Sequence, residues 1–135
     1  MEKKEIEVYF SGGKRVEAKY KNHVIKTDQP VHQGGEDSAP APFDLFLASI
    51  ATCSGLYVLS FCQERGIQAE NIRLVVKPEK NPETKMVDKI SIDIHLPAEF
   101  PEKYIKAVKR AVDACTVKAH ILTPPRFEIK ALLSE

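Results

Sequence analysis

At 135 residues the chain has the length of one domain, which buries roughly two thirds of its unfolded surface, so one core is expected over residues 1–135. Its 20 Lys and Arg nearly balance its 19 Asp and Glu, and it has no Trp, so there is neither a basic stripe nor a stacking platform for nucleic acid. Three cysteines, with no CxxC pair and no N-terminal secretory signal, argue against a secreted disulfide framework or a structural zinc site, and a reducing, cytoplasmic setting is expected.

Ile6, Val8 and Phe10 alternate with polar neighbours, Gly12-Gly13 turns the chain, and Val16, Ala18 and Tyr20 alternate again, which predicts a hairpin. Asn22-His23 turns it once more into a short strand, Val24–Thr27. From Gln29 to Pro42 the chain is rich in Gly, Pro and acidic residues and predicts a long loop, a feature that inside a compact domain is often functional. Glu36, in the Gly-Gly-Glu-Asp stretch, either lids a pocket or keeps the loop solvated.

Pro42 suits the first turn of a helix, and Asp44 just behind it complements the helix dipole. This helix is expected to run to Arg65, with Gly66 as its terminator. It is uncharged from Leu45 to Gln63, long enough to span a membrane. Ser49, Thr52, Ser54, Gly55, Tyr57 and Ser60 dilute its hydrophobicity and no basic clusters flank it, so no membrane is expected, and a helix apolar nearly all round belongs in a core or a dimer.

Asn71–Pro78 and Met86–Leu96 read as two antiparallel strands joined by a polar turn over Lys80–Lys85, with Pro97 ending the second. Pro101 opens a second helix in which Tyr104, Ile105, Val108, Ala111, Val112 and Cys115 follow helical spacing, so Cys115 points inward. Thr123-Pro124-Pro125 stops it, and Phe127, Ile129 and Ala131 predict a final strand. The order βββ-α-ββ-α-β describes an α+β protein without internal repeats.

Cys53 lies inside the uncharged helix and Cys115 near the end of the second, and a reactive thiolate with a resolving thiol is the minimum apparatus of a thiol peroxidase. The bland alternative is that each is a small buried hydrophobe. Cys62, half a turn out of phase with Cys53 in the same helix, is expected to pack in the core. His120 could orient a thiol, but four scattered histidines form no ligand-spaced cluster, so no metal is expected.

The stretches GGEDSAPAPFDLFLASIATC (34 to 53), RGI (65 to 67) and ACTVKAHILTPP (114 to 125) resemble the OsmC/Ohr family, and strand order and length agree over most of the chain. The resemblance implies an intertwined homodimer of six-stranded α+β protomers with the helix carrying Cys53 at its centre. It further implies reduction of organic hydroperoxides by Cys53 as peroxidatic thiolate and Cys115 as resolving partner, with electrons from a dithiol and no prosthetic group. The hydroperoxide-reducing members carry a Glu where this chain has Phe43, its acid being Asp44, an offset closer to the less characterised OsmC-like subgroup. Those members also use an Arg after a Gly-Gly turn, where either Lys14 or Arg15 could serve, Arg15 being preferred.

A cation is expected because Cys53 lies about three turns inside its helix, too deep for that helix's own dipole to lower its pKa much. Asp44, roughly 13.5 Å up the axis, could act only by positioning such a cation, or is simply a favourable helix-start charge. The expected activity is thus a cytoplasmic thiol-dependent peroxidase. The alternatives are a pocket binding a small apolar or thiol-reactive molecule without turnover, and a thiol or persulfide transferase.

Overall fold

The computed structural model describes residues 4–134 and divides into two compact units, one ending at Ala48 and the other beginning at Ser49. The first unit is built on a three-stranded antiparallel sheet in the order β1 (Glu7–Gly12), β2 (Arg15–Tyr20), β3 (His23–Thr27). Its register sets Val8 opposite Ala18 and Phe10 opposite Val16, and continues with Ala18 opposite Ile25. The period-two alternation therefore places Val8, Phe10, Val16, Ala18 and Ile25 on one face, and Glu7, Glu17, Lys19 and Lys26 with Tyr9 and Val24 on the other. Val8 and Phe10 are nonetheless exposed.

The loop that follows β3 is tightly organised around Asp28, which is only 1% exposed. Its carboxylate accepts the backbone N–H groups of Gln29 (2.7 Å), Glu36 (3.3 Å) and Ser38 (3.0 Å) and the Ser38 hydroxyl (2.6 Å). One 3-10 turn, Val31–Gln33, breaks the loop. At Gly35 a Cβ would stand 2.0 Å from the Gln29 carbonyl oxygen, so only glycine fits where the two arms of the loop touch.

A long helix, α1 (Pro42–Glu64), begins in the first unit and runs on into the second. It stops because Gly66 takes the left-handed conformation (φ 66°), letting the Ile67 N–H close back onto the Cys62 carbonyl at 2.9 Å. The second unit continues with a two-stranded antiparallel sheet, β4 (Arg73–Lys80) and β5 (Val87–His95), and the helices α2 (Ile105–Asp113) and α3 (Thr116–Leu122). Leu74 and Val76 on β4 stand opposite Ile94 and Ile92 on β5 and form the face turned to the core. That core joins Val58, Phe61 and Cys62 of α1 to Phe100 and to Val108 and Val112 of α2. Arg65 caps the assembly, its guanidinium 3.8 Å over the Phe61 ring and donating to the Phe61 carbonyl at 3.1 Å.

Two features depart from the sequence expectation. No strand forms over Phe127–Ala131: residues 124–134 carry no regular secondary structure, and Phe127, Ile129 and Leu133 are exposed. A strand needs a neighbouring edge to take its hydrogen bonds, and among the described residues this segment has none. The helix expected to hold Cys115 ends two residues earlier, at Asp113, and Cys115 instead opens a separate helix.

The apolar helix α1 is expected to bury itself in a core or a dimer. Within this chain it is not buried all round: Ile50, Ser54, Val58, Phe61 and Cys62 form a buried stripe, while Leu56 (58%) and Leu59 (41%) face outward. By length and composition α1 would also suffice to cross a membrane, its most apolar stretch having a mean hydropathy of 1.8.

Candidate functional site

The second unit brings Cys53 and Cys115 into contact. Between α2 and α3 the chain breaks at Ala114, and Cys115 takes extended dihedrals (φ −51°, ψ 123°) as the N-cap of α3. Its sulfur accepts the Lys118 N–H at 3.5 Å, the position at which a capping Ser or Asp oxygen is usually found. The next donors of the helix start, the N–H groups of Thr116 and Val117, point at the Cys53 sulfur.

Burial pushes the half-buried Cys53 thiol up. Hydrogen bonds to its sulfur from the Val117 N–H, the Cys115 thiol and the Thr116 N–H outweigh that effect and hold its pKa below the ordinary thiol value. Both thiols are free. Tyr57, one turn after Cys53 on α1, shares a 2.8 Å hydrogen bond with the Thr116 hydroxyl and so ties α1 to the first residue of α3. Lys118 and Asp113 form a 2.6 Å ion pair across the α2–α3 break.

None of the groups that lower the Cys53 pKa is a side-chain cation. The start of α1 is too distant to act on Cys53, and the donors come instead from a second helix start, the backbone of Thr116 and Val117. The cue was a Cys-Thr-Val-Lys sequence after an amphipathic helix, with Cys in a role normally given to Ser, Thr, Asp or Asn.

The other expected residues sit as follows. Arg15 pairs with Glu36 and also donates to the Ser11 carbonyl at 3.4 Å, so Glu36 serves as its counter-charge at the end of the Asp28-ordered loop. The Lys14 stem lies beside Gly34. Asp44 accepts the Ala41 N–H at 3.1 Å and acts at the start of α1, and Phe43 stacks on Phe46 with ring centroids 5.4 Å apart. Cys62 is wholly buried in the core, where burial pushes its thiol pKa up and the nearby Arg65 offsets part of the rise. His120 is occupied by the Thr116 carbonyl, 2.7 Å from its Nδ1.

Behind the thiol pair, Cys115 forms part of the wall of a cavity of about 530 Å³. Its apolar walls come from Ile50 of α1, Ile90, Ile92 and Ile94 of β5, and Ile121 and Leu122 of α3. Ser54, adjacent to Cys53, also lines it, and the Ser54 hydroxyl is fully buried without a hydrogen-bond partner.

Comparison with curated protein sequences gives no match. Solved structures share the fold. A Psychrobacter arcticus protein provisionally named as an osmotic stress induced and detoxification response protein superposes with a TM-score of 0.73 at 24% identity, over 84% of this chain and 85% of its own. A hypothetical protein from Aquifex aeolicus gives 0.68 at 25% identity (92% and 90%), and an organic hydroperoxide resistance protein OsmC from Legionella pneumophila gives 0.59 at 20% (90% of each). The profile of the OsmC-like protein family matches residues 35–130, a span that holds α1, both thiols and the cavity. With most of its length matched in sequence and its fold shared with solved members, the chain belongs to the OsmC/Ohr family of OsmC-like proteins.

Proposed function

We propose that the protein is a thiol-dependent peroxidase that reduces organic hydroperoxides and serves in stress defence. The observation that carries this reading is the contact of two free thiols, one of them held below the ordinary thiol pKa by donors at the start of α3. In the first step the Cys53 thiolate attacks the distal oxygen of ROOH. The O–O bond breaks, Cys53 becomes a sulfenic acid, and the departing alkoxide takes a proton to leave as ROH. In the second, Cys115 attacks the sulfenic sulfur, releasing water and forming a 53–115 disulfide, which an external dithiol then reduces by two electrons. The stress-related names of proteins with the same fold agree with such a role.

The reading extends to a cytoplasmic homodimer without a prosthetic group. Support for the dimer comes from the apolar side chains this chain leaves to solvent, among them Val8, Phe10, Leu56, Leu59, Phe127 and Ile129. Arg15, or Lys14 in its place, is proposed to act on the hydroperoxide, with Glu36 as the counter-charge of Arg15, Phe43 as a pocket residue and Asp44 as a positioning acid. Mutagenesis of the thiols tests the central assignment. Cys53→Ser should abolish consumption of cumene hydroperoxide, while Cys115→Ser should turn over once and stop at a Cys53 sulfenic acid trapped by dimedone. Wild-type protein that consumes no cumene or tert-butyl hydroperoxide with a dithiol present, and forms no 53–115 disulfide, would overturn the reading.

A further inference from the structure

Reduction of a hydroperoxide at Cys53 needs a proton that none of the groups bonded to its sulfur is placed to supply. In-line attack on ROOH drives the leaving oxygen off on the far side of the oxygen that becomes bonded to sulfur, and an alkoxide departs slowly unless an acid meets it there. The N–H groups of Thr116 and Val117 and the Cys115 thiol are bonded to the Cys53 sulfur itself, at the near end of that line. Arg15 carries a guanidinium, which binds anions but does not give up a proton in proteins.

Two other titratable groups of α3 are committed elsewhere. Lys118 is paired with Asp113 at 2.6 Å. The Nδ1 of His120 lies 2.7 Å from the Thr116 carbonyl oxygen, which can only accept, so the neutral ring carries its proton on Nδ1 and has none to give from Nε2.

Tyr57 is placed differently. It follows Cys53 by one turn of α1, so the two side chains share a helix face with Cβ atoms roughly 5–6 Å apart. Both are half-buried. The Tyr57 hydroxyl is 2.8 Å from the Thr116 hydroxyl, and the N–H of the same Thr116 points at the Cys53 sulfur. One residue thus touches thiol and phenol together and fixes the phenol one turn from the sulfur.

We propose that Tyr57 is the general acid of hydroperoxide reduction, giving its phenolic proton to the departing alkoxide while the Thr116 hydroxyl donates to the Tyr57 oxygen. This role rests on the peroxidase reading of Cys53 and adds the source of the proton to it. The Cys53 thiolate forms the S–O bond as the O–O bond breaks, the electron pair of that bond leaves on RO⁻, and RO⁻ takes the Tyr57 proton to become ROH. A phenol is a far stronger acid than an aliphatic alcohol, so the transfer runs downhill, and the tyrosinate left behind keeps a charge-assisted hydrogen bond from Thr116. It then recovers from solvent the proton that Cys53 released on ionising.

The test follows how fast one equivalent of reagent consumes the Cys53 thiol of the reduced protein at neutral pH, by rapid quench with N-ethylmaleimide and mass spectrometry. tert-Butyl hydroperoxide expels an alkoxide and needs the acid. Peracetic acid expels acetate and iodoacetamide expels iodide, and neither needs it. Tyr57→Phe should slow the first reaction roughly a hundredfold, the low end of what a positioned acid contributes, and leave the other two unchanged. Thr116→Val, which removes the hydroxyl and keeps the N–H, should slow the hydroperoxide reaction by a smaller factor and again spare the other two. A tert-butyl hydroperoxide rate that survives Tyr57→Phe, or a loss shared equally by all three reagents, overturns the assignment of Tyr57 alone. Should Tyr57→Phe not fold, an unchanged hydroperoxide rate in Thr116→Val overturns it instead. Wild-type protein that reacts with peracetic acid and iodoacetamide but not with tert-butyl hydroperoxide would overturn the peroxidase reading itself, and the role of Tyr57 with it.

Discussion

Replacing Ser54 by alanine should make the ligand-free protein more stable, against the usual direction for a buried substitution. Ser54 is fully buried and its hydroxyl has lost water without gaining a partner. Relief of that desolvation is worth about 1–3 kcal/mol, and alanine's better helix propensity adds a few tenths. Only one oxygen is removed from a wall that already borders a cavity, so little packing is lost. For a chain of this length each kcal/mol moves the melting temperature by about 4 °C, so a rise of roughly 4–12 °C is expected. Calorimetry and urea unfolding of delipidated protein at fixed concentration would measure it, with an unchanged urea slope showing that the unfolded state is unaffected. Ser60→Ala, in the same helix, is the control for propensity. If Ser54→Ala is no more stable than Ser60→Ala, the hydroxyl is satisfied in solution and carries no desolvation cost.

The remaining predictions concern acid stability, thiol reactivity and assembly. The Asp28 carboxyl is held at about 2, against an ordinary 3.8, first by the Ser38 hydroxyl and then by the backbone N–H groups around it. Its stabilisation is therefore complete above the ordinary carboxyl range and disappears as the pH falls from about 4 through about 2, so urea midpoints should drop more steeply there for wild type than for Asp28→Asn; parallel curves would count against it. Iodoacetamide should label Cys53 first and Cys62 last, and Thr116→Pro should slow Cys53 at neutral pH where Thr116→Val does not. Proline fits the first position of α3 but removes one of the N–H groups aimed at the sulfur, so equal rates for the two variants would dismiss that donor. Leu56→Lys, on the outward face of α1, should convert the proposed dimer to a smaller species in light scattering, and an unchanged mass would place the interface elsewhere.

Much of the local structure was legible because it follows from short-range rules. The alternation in Glu7–Tyr20 specified a hairpin, Pro42 and Gly66 bracketed α1, and the β4–β5 pairing followed from isoleucines at period two. What was not legible depends on chain segments distant from each other. The periodicity from Tyr104 to Cys115 runs unbroken through the sequence, yet Ala114 and Cys115 leave the helix, and nothing local announced that a sulfur would cap a new one. The pairing of Arg15 with Glu36 likewise needed the fold of the Asp28 loop, which places the two side by side although twenty other residues separate them in sequence. Phe127, Ile129 and Ala131 alternate as a strand should, but alternation states a preference for an edge and cannot supply one.

The loop from Asp28 to Pro40 has only one turn of regular structure, and sequence alone would class it among the parts of the molecule that breathe fastest. Its interior hydrogen bonds point the other way. The amides of Gly35, Asp37 and Ser38 are bound to the Pro30 carbonyl, the Gln29 carbonyl and the Asp28 carboxylate at 3.0–3.1 Å. In deuterated solvent these protons should therefore exchange on the slow timescale of the sheet amides, and they should quicken together, as one cooperative opening, when Asp28 is protonated.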